Sequence, residues 1–181
     1  MNIRIISGEF GKRKIDAPDG RITHPMGDRQ RTALFNIIKA ELPDADILDA
    51  FAGTGSLGLE SLSHGARSAI FIEKDRMAQN ILAKNISTLG VENRAKLMRT
   101  TVEKWIDGNT EARFDVIFAD PPYQDLQLST VSKLLDLLKP GALMVLSTPG
   151  RSEVLAKTGV VVVDNRSYGQ ANLTFYRREG A

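Results

Sequence analysis

The chain has 181 residues, 42% of them hydrophobic and 25% charged, which is the composition of one globular domain with a sizeable core. No apolar stretch approaches the ~20 residues needed to span a bilayer, and zero cysteines exclude disulfides, a thiolate nucleophile and sulfur-ligated zinc. The net charge of +2 hides an asymmetry: residues 1–40 carry eight Lys/Arg against four Asp/Glu, the remaining 141 carry 16 against 18, and a basic leading segment of this kind suits phosphate. The two histidines, His24 and His64, are too few and too far apart for a metal cluster. Met1-Asn2-Ile3-Arg4-Ile5-Ile6 is not a basic leader followed by a long apolar run, so a cytoplasmic protein is expected.

Along the chain, Ile3 to Ser7 and Lys14 to Ala17 flank Gly8-Glu9-Phe10-Gly11-Lys12-Arg13, which predicts a small hairpin or extended arm within residues 1–27. Asp19-Gly20 marks a turn. After Pro25 and Gly27, the residues Ala33, Leu34, Ile37 and Ile38 recur at helical spacing, with Asp28 as the expected N-cap and Pro43 as the stop. From Asp46 strands alternate with helices. Strands are expected over Ile47 to Phe51, Ala69 to Ile72, Ala95 to Met98, Phe114 to Ala119 and Ala142 to Ser147. Helices are expected over Leu57 to Ser63, Met77 to Leu89, Val102 to Ile106 and Leu126 to Leu138, with Gly65, Gly90 and Pro140-Gly141 as stops. Near-continuous apolar strands in this alternation imply a mostly parallel sheet covered on both faces. Beyond Pro149-Gly150 the rhythm changes, and Val160 to Val163 with Leu173 to Tyr176, turning near Gly169, predict a terminal antiparallel hairpin. The expectation is one α/β domain over residues 1–181, an arm (1–27) before a core (28–181), and a monomer, since no long apolar surface stripe calls for a partner.

Two motifs carry chemistry. Asp120-Pro121-Pro122-Tyr123 follows the apolar run Val116-Ile117-Phe118-Ala119 and reads as a strand ending in a pocket for an amino group. An exocyclic amine on a nucleobase delocalises its lone pair into the ring and attacks a methyl donor poorly unless acceptors pull on its protons. Asp120 offers an acceptor-only carboxylate, Pro121 and Pro122 offer carbonyls without N–H groups, and Tyr123 offers a flat face for the base. The structural alternative is a proline-ended strand with Asp120 capping a helix and Tyr123 packed away.

The second motif, Gly53-Thr54-Gly55-Ser56-Leu57-Gly58, satisfies the glycine pattern of dinucleotide sites between a strand and a helix. Glu73, at the next strand's end, suits ribose hydroxyls whichever cofactor is bound. Asp49, four residues before Gly53, suits a cationic amino or sulfonium group and not a pyrophosphate. Asp49, Glu73 and Asp120 all fall at carboxyl ends of strands, where open α/β sheets bind ligands. S-adenosylmethionine is the cofactor that fits, with Phe51, Gly53, Thr54, Gly55 and Lys74 around it and Thr100 or Thr101 near adenine; these threonines also suit helix caps.

The chain resembles the bacterial methyltransferases that modify the 2-amino group of a guanine in small-subunit (16S) ribosomal RNA. The carriers are Arg4-Ile5-Ile6-Ser7-Gly8 with Gly11-Lys12-Arg13-Lys14, Asp28-Arg29-Gln30-Arg31 with Leu34-Phe35-Asn36, Leu48 through Glu60, Phe71-Ile72-Glu73, Asp120-Pro121-Pro122-Tyr123 and Tyr168-Gly169. The resemblance implies a Rossmann-like methyltransferase fold, a seven-stranded sheet, S-adenosylmethionine as donor, and an assembling small ribosomal subunit as partner. The chain departs from the family pattern at His24-Pro25-Met26, at Thr32 and in Leu146-Ser147-Thr148-Pro149. Arg4, Lys12, Arg13, Lys14, Arg29 and Arg31 are the expected phosphate contacts. Other classes with related motifs are DNA amino-methyltransferases acting on adenine N6 or cytosine N4, nicotinamide-dependent oxidoreductases, and a non-catalytic RNA-binding assembly factor.

Overall fold

Seven strands form one sheet in a computed structural model of the chain, which describes residues 2–19, 26–150 and 155–180. The elements are β1 (Asn2–Arg4), β2 (Lys14–Asp16), α1 (Asp28–Ile38), β3 (Asp46–Asp49), α2 (Ser56–Ser63), β4 (Ser68–Ile72), α3 (Arg76–Leu89), β5 (Ala95–Met98), α4 (Val102–Asp107), β6 (Phe114–Ala119), α5 (Leu128–Leu134), β7 (Leu138–Pro149), β8 (Val160–Tyr168) and β9 (Ala171–Arg178). The sheet order is β5-β4-β3-β6-β7-β9-β8, with β9 antiparallel to both neighbours and every other pairing parallel. This is the expected Rossmann-like architecture, and β1 pairs antiparallel with β2 as the expected leading hairpin. Gly20, His24 and Pro25, which carried turn and motif expectations, lie outside the described residues.

Side chains alternate across the strands and divide the core in two. Val116 and Phe118 of β6 face α1, α2, α3 and the hairpin residues Ile3, Ile5 and Ile15, while Ile117 and Ala119 face α4 and α5. The hairpin therefore buries its apolar side on the first face of the sheet, with Ile3 opposite Ile15. Arg4, opposite Lys14, stays exposed.

The hairpin strands β8 and β9 run longer than the sequence expectation, several other ends move by one to three residues, and three further boundaries differ for identifiable reasons. Asp28 is not the N-cap of α1; Gly27 holds that position without a side-chain cap, and the Asp28 carboxylate pairs instead with Arg31. The strand β3 ends at Asp49, because the backbone N–H groups of Ala50 and Ala52 reach across to Phe118 and Ile72 on opposite sides as the chain leaves the ladder. Finally, α5 stops at Leu134, a 3-10 turn follows over Leu135–Leu137, and β7 begins at Leu138 and runs through Pro140-Gly141. The β6–β7 register shifts in this stretch, between Phe114 and Val116, a place where proline's missing N–H costs no ladder bond.

Candidate active site

The path of the chain creates a crevice at the carboxyl edge of the sheet. From β3 it moves outward through β4 to β5, then returns to β6 on the other side of β3, and ligands of open α/β sheets bind at such a reversal. Asp49 at the end of β3 lies level with Phe71 on β4 and Phe118 on β6, so Glu73 and Asp120 leave their strands just beyond it on either side.

The loop after β3 is held by those acids. The N–H of Gly53 donates to Glu73 Oε1 at 2.9 Å, that of Asp75 to Glu73 Oε2 at 2.7 Å, and that of Gly58 to Asp49 Oδ2 at 3.0 Å. The three glycines have different tasks. A Cβ at Gly53 would meet nothing within 4 Å, which leaves its backbone open to a ligand. Gly55 takes φ +87 at the start of α2 and has Leu82 against it, while Gly58 lies directly on the Phe71 ring, where a Cβ would overlap it. Thr54 is buried, and its carbonyl accepts from Asn85 Nδ2 at 3.0 Å.

Asp49 is 1% exposed. Burial raises its pKa to about 8; the Gly58 N–H opposes the shift, and the charges of Asp120 and Glu73 add to it. Burial also raises Glu73, against the pull of the N–H groups it accepts. Three carboxyl groups thus share one end of the sheet with no cation of their own among these contacts. A positively charged ligand would relieve them, whereas a pyrophosphate would add to the repulsion.

Asp120, just past β6, is half-buried and its pKa is raised to about 6 by burial, with a hydrogen bond from Ser147 acting in the opposite direction. Tyr123 is 44% exposed, and its hydroxyl lies 3.3 Å from Ser147 Oγ. A single hydrogen order satisfies both contacts, with Tyr123 donating to Ser147 and Ser147 donating to Asp120. Pro121 is buried and Pro122 exposed. Ser147, on β7, was not among the expected site residues; the only hint was its place in a stretch that departs from the family pattern.

The remaining expected residues divide. Phe51 is half-buried against the α4–α5 side of the core and Lys74 is exposed. Thr101 caps α4, its hydroxyl accepting from the Lys104 N–H at 3.2 Å, and Thr100 is half-buried beside it. Arg4, Lys12, Lys14 and Arg29 are exposed. Arg13 is exposed too, but its guanidinium donates to the Thr88 carbonyl at 2.7 Å and lies over the Phe10 ring, which fastens the arm to the end of α3. Arg31 departs from its expectation as a surface phosphate contact: it is 0% exposed, and its Nη2 donates to the Arg4 carbonyl and pairs with Asp28, tying α1 to the hairpin.

Missed as well was Glu60. It is fully buried on α2 and accepts the N–H groups of Ile6 at 2.7 Å and Ser7 at 3.3 Å, with His64 Nε2 at 3.0 Å from the same carboxylate. One helix therefore begins in the glycine loop and ends holding the arm.

A family model described as conserved hypothetical protein 95 matches residues 3–177. The chain is 37% identical over 134 residues to ribosomal RNA small subunit methyltransferase D of Escherichia coli, covering 74% of this chain and 67% of that one. It is 30% identical over 180 residues to the protein of the same name from Haemophilus influenzae, covering 97% and 93%. Among solved structures it is similar to yhhF from Escherichia coli, with a TM-score of 0.89 and 32% identity over 100% of both chains.

Proposed function

The chain belongs to the conserved hypothetical protein 95 family, that of ribosomal RNA small subunit methyltransferase D, and on that premise we propose that it methylates the exocyclic 2-amino group of a guanine in small-subunit ribosomal RNA, using S-adenosylmethionine. The observation that carries this reading is the meeting of Asp120, Ser147 and Tyr123 at the sheet edge, beside Asp49 and the glycine loop.

S-adenosylmethionine, when bound, supplies an electrophilic methyl group on a sulfonium sulfur. The residues fit such a cation: Asp49, Glu73 and Asp120 converge with no cation paired to them among the described residues, and the open backbone at Gly53 admits close approach. Glu73 would accept from the ribose hydroxyls, and Phe51, Thr54, Gly55, Lys74 and Thr101 would complete the surround.

The target base enters unpaired or flipped out of its helix and lies on the exposed Tyr123 ring, a contact worth ~1–3 kcal/mol. Asp120 and the Pro121 carbonyl accept the two amino hydrogens and localise the lone pair on nitrogen; Pro122 brings no N–H to compete. A lone pair so localised would take the donor's methyl group, the nitrogen–carbon bond forming as the sulfur–carbon bond breaks, and the surplus proton would leave to Asp120 or to water. Most of the acceleration comes from holding the two reactants in register. Arg4, Lys12, Arg13, Lys14 and Arg29 contact phosphates of an assembled small subunit, and the chain acts as a monomer.

Asp120→Ala is expected to abolish methyl incorporation into small-subunit RNA while S-adenosylhomocysteine affinity stays within a few-fold; retained turnover rejects the acceptor role. Mass spectrometry of ribosomal nucleosides from cells with and without the gene identifies the base. Loss of a methylated adenine or cytosine in place of N2-methylguanosine overturns the guanine assignment.

A further inference from the structure

A cleft of about 390 Å³ opens between the first turn of α1 and the β8–β9 turn, lined by Gly27, Arg29, Gln30, Ser167, Tyr168 and Gly169. The two walls come from segments far apart in sequence, and Gln30 Nε2 ties them by donating to the Tyr168 carbonyl at 3.2 Å. The Tyr168 side chain rests half-exposed on the same side of the core as α1 and the hairpin. Among the described residues the guanidinium of Arg29 has no hydrogen-bond or ion-pair partner. Arg166, the other cation near this turn, is paired with Asp164 at 3.0 Å.

The position of the cleft is fixed by the sheet. β7 and β8 both run antiparallel to β9, so β8 is parallel to β7 and its last residue, Tyr168, reaches the same carboxyl edge as Ser147. Two strand spacings separate β7 from β8, which puts the cleft ~10 Å to the side of the β7 strand that carries Ser147. On its other flank α1 is joined through Arg31 to the basic hairpin.

An aromatic face and an uncommitted guanidinium, in a space of small-ligand size, are the groups that hold a nucleotide: the base stacks and the phosphate is paired. We propose that this cleft receives a nucleotide flanking the target guanine, with its base on Tyr168 and its phosphate at Arg29. It thereby helps to select which base is presented to Asp120. The proposal rests on the RNA-methylation reading, extending it from the reacting base to its neighbour.

The test uses the full chain with small ribosomal subunits purified from cells lacking the gene. Arg29→Ala is expected to raise the KM for subunits several-fold and to reduce the slope of log affinity against log salt by about one. Tyr168→Ala is expected to raise KM about tenfold with no change of salt slope, and Tyr168→Phe to restore it. In all three, kcat and S-adenosylhomocysteine affinity stay within twofold of the parent. Wild-type KM in both Arg29→Ala and Tyr168→Ala overturns the proposal, as does a loss of kcat alone. Because Tyr168 also packs on the core, Tyr168→Leu, which keeps apolar bulk and loses the stacking face, decides the matter if Tyr168→Ala does not fold: a raised KM supports the cleft and a wild-type KM overturns it. The two readings fail separately: should the parent chain leave the subunits unmethylated, its affinity for them is measured directly, and an Arg29→Ala affinity equal to the parent's overturns the cleft.

Discussion

Asp120 can accept an amino proton only when ionised, and burial places its pKa at about 6, inside the range where an assay can see it. The free enzyme's kcat/KM should therefore rise about tenfold per pH unit below about 6 and level off above. A profile flat from pH 5 to 8 contradicts the role. Asp49 yields a second prediction with the opposite sign. Its pKa in the folded protein is about 8 against an ordinary aspartate value of 3.8, so between these values the folded chain keeps a proton that the unfolded chain has released. Stability falls as pH rises across that window. Asp49→Asn should flatten the dependence of melting temperature on pH between 5 and 8, while weakening S-adenosylhomocysteine binding several-fold. Residues of this kind were readable in the sequence because each acid sits at the end of an apolar strand. Ser147 was not, since its partners Asp120 and Tyr123 become neighbours only when β7 pairs beside β6. Arg31 misled for a related reason: a count of cations gives charge and says nothing of depth.

At the scale of elements, one carboxylate and one hydroxyl of α2 hold the arm, beside its ties to α1 through Arg31 and to α3 through Arg13 and Asn85. Glu60 accepts from Ile6 and Ser7, and Ser63 Oγ donates to the Ser7 carbonyl at 2.6 Å and accepts from the Phe10 N–H at 2.9 Å. Glu60→Ala removes the acceptor of two backbone donors, of which the half-buried Ile6 N–H costs about 1–3 kcal/mol if left unpaired and the exposed Ser7 N–H less. The denaturation midpoint should drop accordingly, and hydrogen exchange at Ile6 and Ser7 should accelerate ahead of the sheet. Glu60→Gln, which keeps one acceptor oxygen, should lose less. Periodicity located nearly every element, and β5 and β6 agree to the residue. It failed where punctuation was ambiguous. Pro140-Gly141 reads locally as a helix stop, yet a register shift beside β6 lets the pair sit inside a strand.

For the molecule as a whole, charge placement gives the remaining prediction. Arg4 and Lys14 stand directly opposite each other on the exposed side of the hairpin, an arrangement that costs energy in isolation and is relieved by a bound phosphate. Neutralising Lys12, Arg13 and Lys14 together should weaken binding to small subunits most at low salt, lowering the log–log salt slope by ~2–3. An effect independent of salt would assign these residues to holding the arm in place, a role Arg13 already has in part through Thr88. The sheet architecture followed from the alternation of patterns, but the docking of the arm on α2 did not, because no local pattern records a contact 54 positions away.

That contact has a mechanical implication. With its amino end in the glycine loop and its carboxyl end clasping the arm, α2 is a rod of eight residues, ~12 Å long. A rod that short hardly bends, so the glycine loop at one tip and the arm at the other cannot be displaced independently along it.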